Sequence, residues 1–182
     1  MITEYFRRVA AVLPLLPVEQ VERIVEIMKD AQLNKRTVFM IGNGGSSGNA
    51  SHIVNDLVKS ALHPDRPRFR AMCFTDNTPT LTAYANDESY DIALAKQLEA
   101  FAESGDVLFA LSGSGNSRNI IRAMETARDM GMTRIGLTGR DGGELAPLCD
   151  AVVIVPSESM QIIEDAHLVI LHAMFLKLME KE

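Results

Sequence analysis

His52 and Asp56 stand four residues apart, a spacing that puts both on one face of a helix. An imidazole nitrogen and a carboxylate oxygen so placed can hold zinc or a similar divalent ion, or move a proton. Just before them runs Ile41-Gly42-Asn43-Gly44-Gly45-Ser46-Ser47-Gly48. A second stretch of the same kind is Leu111-Ser112-Gly113-Ser114-Gly115-Asn116-Ser117. Glycines let backbone N–H groups turn toward an anion, and serine hydroxyls add donors without bulk. These types and spacings point to a phosphate cradle made of two loops, with a proton-transfer or metal group close by. A tight turn with a serine N-cap accounts for either loop alone, but poorly for both together. The first loop also begins a dinucleotide fingerprint, Gly42-x-Gly44, with Asp76 placed to bind a ribose. Ser47 stands where the third glycine of that fingerprint belongs, and the second loop is left unexplained.

Two loops can form one site only if the elements around them bring them side by side. Short apolar runs predict strands at 37–41, 69–74, 107–111, 133–137 and 151–155. Helical spacing of apolar residues predicts helices over 3–13, 18–32, 47–61, 78–101 (broken near Asn86), 117–130 and 159–181, with a short turn after Gly143. Strands that are apolar throughout and alternate with helices form a parallel sheet covered on both faces. The fold class is therefore α/β: a doubly wound, five-stranded, flavodoxin-like sheet of order 2-1-3-4-5. Its switch point lies between strands 1 and 3, where the two loops emerge. Residues 1–182 read as a single domain. The N-terminal helix pair (1–33) and the last helix carry more apolar surface than one sheet needs, so they are expected to pack against other subunits.

Composition narrows the function classes. The 182-residue chain is 47% hydrophobic and 23% charged, as in an ordinary globular protein, which excludes a disordered chain. A net charge of −6 argues against binding to nucleic acid, since that calls for a basic face. No apolar run approaches the roughly 20 residues needed to cross a bilayer. Arg7 and Arg8 interrupt the opening stretch, so it does not read as a signal peptide. Cys73 and Cys149 have no metal-ligand spacing and suit a reducing compartment, so the expected location is the cytoplasm. The basic stretch 63–70 reads as a solvated loop, and the ten methionines as core and subunit packing.

The segments IGNGGSSGNASH, SGSGNS and LTGRDGGELA resemble the sugar isomerase (SIS) domain, and the likeness runs to the ends of the chain. Within that superfamily the pattern is most similar to the phosphoheptose isomerases. The resemblance implies a homotetrameric aldose–ketose isomerase acting on sedoheptulose 7-phosphate. It implies that Asn43, Gly44, Gly45, Ser46, Asn86, Asp87, Ser112, Gly113, Ser114, Ser117 and Glu164 contact the phosphosugar. It further implies that His52, Asp56, Glu164 and His172 hold zinc, with Asp56 as base and His172 as acid. Two positions depart from the family's usual pattern, Asp56 replacing glutamate and Glu164 replacing glutamine. Aspartate is one methylene shorter, and Glu164 adds a charge that favours a metal and opposes a phosphate. Glu164 and His172 lie about 12 Å apart along a helix and about 80° around it, so one ion draws on both only near full extension, or the site is shared between subunits. His167, at 140° from His172 by the same geometry, faces elsewhere. The competing reading is a SIS protein that binds phosphosugars or a replication initiator without catalysis. The joint presence of His52, Asp56 and His172 favours the enzyme.

Overall fold

A computed structural model describes residues 1–180. Five parallel strands, β1 (Thr37–Gly42), β2 (Arg70–Cys73), β3 (Val107–Ser112), β4 (Thr133–Gly139) and β5 (Ala151–Val155), form one sheet in the order β2-β1-β3-β4-β5. The class and strand order are those expected. β1 lies between its neighbours, Val38 standing opposite both Ala71 and Val107. Every residue of β1 and β3 is buried, which is why both read as unbroken apolar runs. β2 is an edge strand in which only Cys73 is buried.

The helices are α1 (Ile2–Val12), α2 (Val18–Leu33), α3 (Gly44–Asn55), α4 (Thr78–Asp87), α5 (Ala93–Phe101), α6 (Arg118–Asp129) and α7 (Met160–Met179). Residue 181, placed in the last helix by the sequence, lies outside the described residues. Right-handed crossovers send α4, α5, α6 and the turn at Ala146–Leu148 to one face, where Leu94, Leu98, Ile120, Met124 and Leu145 pack on Phe39 and Leu108. Of the crossover helices only α3 reaches the other face. Most of that face is left to α2 and α7, whose Ile24, Met28, Ile170 and Leu171 join Ile53 over Met40 and Phe109. These two helices are thus part of the domain's own core. Of the extra helices only α1 has no buried residue, and its Ile2 and Phe6 lie exposed.

The basic stretch serves carbonyl groups. Arg66 donates to Leu178 O at the end of α7, Arg68 to Val58 O and Arg70 to Lys35 O. Each places a cation against a helix end or a turn, where carbonyls lack partners.

Candidate active site

Asn43 leaves β1 in an extended conformation, and Gly44 then turns into α3 with φ +53°, a left-handed angle that a residue with a Cβ adopts at a cost. This turn aims the first N–H groups of α3 at the loop that follows β3. That loop ends in Ser117, the N-cap of α6. Between the two loops lies a cleft of about 270 Å³. Asn43, Gly44, Gly45 and Ser46 line one wall, and Ser112, Gly113, Ser114 and Ser117 the other. The first turn of α7 closes it with Met160 and Glu164. Three helix N-termini therefore converge, and their positive ends draw an anion without help from lysine or arginine. Among the described residues lining the cleft, Glu164 is the one charged side chain. It sits close enough to α3 that a Cβ on Gly45 would meet its carboxylate at 2.5 Å.

Farther along the same two helices stands a second group. His52 and His172 bring their Nε2 atoms to 2.9 Å, and Asp56 Oδ2 lies 3.4 Å from the first and 3.9 Å from the second. The three donor atoms lie within 4.8 Å of one another. In a tetrahedral zinc site, ligand atoms about 2.0–2.1 Å from the metal lie about 3.3 Å apart, so the donor set and its spacing fit a divalent ion. Asp56 opens a five-residue π-helical turn, Asp56–Ser60, whose Ala61 N–H bonds to Asp56 O. Such turns insert one extra residue and re-aim a side chain, often at functional sites.

The structure unites His52, Asp56 and His172 within one chain. Glu164, grouped with them by resemblance, lines the cleft instead, where Asn49 Nδ2 donates to its backbone carbonyl. Asn86 and Asp87 are exposed at the end of α4 and are not among the residues lining the cleft. His167 faces away from the cluster, fully buried, with Nε2 3.1 Å from Thr138 O and Nδ1 without a partner among the described residues. Burial pushes its pKa down to about 4, so it is neutral at pH 7. Burial likewise pushes the Cys149 thiol up to about 12, which makes it a poor nucleophile. A larger cleft, about 600 Å³, lies between α3 and the β2 edge against Val58, Met72 and Phe101 and includes neither glycine–serine loop.

Sequence reasoning missed two residues. Asn119 on α6 and Tyr90 in the α4–α5 connection both bond to the Asn43 side chain. Asn119 left a trace, a polar residue on the stripe of Ile120, Ala123, Met124 and Ala127 that α6 buries.

The SIS domain family matches residues 4–139. A phosphoheptose isomerase from Clostridium acetobutylicum is 42% identical over 165 residues, covering 91% of this chain and 83% of that protein. The structure of a phosphoheptose isomerase from Francisella tularensis superposes with a TM-score of 0.92 at 29% identity, over 99% of this chain and 97% of the other. One from Neisseria gonorrhoeae gives 0.89 at 31% identity, over 97% and 96%.

Proposed function

This chain belongs to the phosphoheptose isomerase family of SIS-domain proteins, and from that premise we propose that it interconverts sedoheptulose 7-phosphate and glycero-manno-heptose 7-phosphate. One observation carries the reading: a cleft at three helix N-termini and a His-Asp-His cluster share α3 and α7. Gly45 faces Glu164 and His52 faces His172. The two helices therefore run in the same direction, and the two groups are about 10.5 Å apart along α3 and about 12 Å apart along α7. That separation suits an extended phosphosugar with its phosphate at one end and its carbonyl at the other.

The loops hold the phosphate through backbone N–H groups and the hydroxyls of Ser46, Ser112, Ser114 and Ser117. Asn86 and Asp87, exposed at the end of α4, are the proposed contacts for sugar hydroxyls. Aldose–ketose isomerisation removes a proton beside a carbonyl and returns one to the neighbouring carbon. Asp56 takes the first proton, and His172 serves the oxygen that gains or loses one. His52, Asp56 and His172 would hold a divalent ion whose donor set suits zinc; Glu164, about 12 Å away along α7, would join them only from another subunit. When bound the ion supplies polarisation of the carbonyl and charge stabilisation for the enediolate. The protein works as a cytoplasmic homotetramer.

The test is turnover of a panel of ketose and aldose phosphates by the purified protein, with and without zinc. Sedoheptulose 7-phosphate is isomerised, chelation abolishes the activity and zinc restores it. Zinc-loaded protein that binds phosphosugars yet turns over none of them overturns the isomerase reading in favour of a binding protein.

A further inference from the structure

Asn43 is held by a closed set of hydrogen bonds. Its Oδ1 accepts from Tyr90 Oη–H at 2.7 Å and from Asn119 Nδ2 at 2.9 Å, and its Nδ2 donates to Asn119 Oδ1 at 2.9 Å. An amide oxygen has two lone pairs and an amide nitrogen two protons. Both acceptor sites of Asn43 are therefore filled, and one N–H is left over, on a residue that lines the phosphate cleft. Asn119 is 2% exposed and needs its partner, because an unpaired buried amide is costly. The pair with Asn119 holds the Asn43 side chain in place but, being reciprocal, gives the same two bonds if both amides turn over. The Tyr90 hydroxyl is the third contact, and it reaches in from a different element.

We propose that Tyr90 is a positioning residue: its hydroxyl, as a third partner from a separate element, holds the Asn43 side chain in place beside the bound phosphosugar. The same bond ties the connection after α4, which carries Asn86 and Asp87, to the loop after β1. Tyr90 is 43% exposed, while its hydroxyl bonds to Asn43, a residue of the cleft wall. The part of this inference that concerns substrate rests on the isomerase reading; the part that concerns Asn43 does not.

The experiment compares wild type, Tyr90→Phe, Asn43→Ala and the double variant. Phenylalanine keeps the ring and removes only the hydroxyl. Side-chain amide exchange of Asn43, followed by NMR on ligand-free protein, quickens about tenfold in Tyr90→Phe, as loss of one hydrogen bond implies. KM for sedoheptulose 7-phosphate rises about tenfold while kcat stays within about a factor of two. In the Asn43→Ala background, Tyr90→Phe adds nothing further. Unchanged Asn43 exchange overturns the proposal, and so do multiplying KM effects in the double variant. Where wild type shows no turnover, the isomerase reading fails, and the affinity for sedoheptulose 7-phosphate measured by calorimetry replaces KM in the same cycle.

Discussion

Ser114 and Ser117 stand in a cleft lined by no lysine or arginine among the described residues, so on the proposed reading each donor would carry a visible share of phosphate affinity. Ser114→Ala and Ser117→Ala each weaken binding of sedoheptulose 7-phosphate by about 1.5–3 kcal/mol, the worth of a charge-assisted hydrogen bond; calorimetry reads it directly. Glu164 would oppose a phosphate bound there from the third wall, and Asp56 reaches one methylene less than glutamate would. Both departures fall on groups of the candidate site, so on the proposed reading they bear on which phosphosugar is preferred. His167 gives a separate signal. Its ordinary pKa of 6.5 is lowered to about 4 by burial, so between those values the unfolded chain holds a proton that the folded chain refuses. Stability from this residue is complete above pH 6.5 and falls as pH drops toward 4, by about 3 kcal/mol in all. Urea unfolding at pH 7.5 and 4.5 shows that loss in wild type and a smaller one in His167→Gln, whose amide can still donate to Thr138 O.

At the scale of elements, the site depends on how α3 begins and ends. Gly44→Ala keeps the sequence of donors but strains the φ +53° turn, costing about 1–2 kcal/mol and displacing the first N–H groups of α3. Chemical denaturation reports the first effect and phosphosugar affinity the second. The other end, where the π turn re-aims Asp56, was not legible: Asp56–Ser60 contains neither glycine nor proline. The strands were legible because β1 and β3 are buried on both faces. β2 was read too long, as 69–74, because Phe69 and Phe74 are buried beside an edge strand without belonging to it. The break in 78–101 was placed at Asn86 and falls over 88–92, a stretch with neither proline nor glycine. The glycine–serine loops announced the cleft, since their chemistry resides in the backbone and in local residue types. The clamp on Asn43 did not, since its partners lie 47 and 76 positions away and only folding brings them together.

For the whole molecule, α1 is the element left unexplained by a single chain. It buries no residue of its own, while Ile2, Phe6, Leu15 and Val18 nearby are 65–72% exposed. Exposed apolar residues of this kind suit a partner surface, and closed symmetry would give the assembly a definite size. The proposed homotetramer predicts a light-scattering mass four times that of the 20.0 kDa chain, lowered in Phe6→Asp; a wild-type monomer at micromolar concentration would contradict the assembly. The central claim is that Asp56 moves a substrate proton beside a carbonyl, and isomerisation in deuterium oxide tests it most directly. Proton NMR of sedoheptulose 7-phosphate incubated with zinc-loaded protein should show deuterium at C2 of the aldose product. Asp56→Asn, loaded with metal to the same level, should slow that incorporation by about 10²–10⁴-fold, the usual worth of a positioned base. Incorporation at the wild-type rate in the metal-loaded Asp56→Asn protein, or none in wild type, would contradict the account.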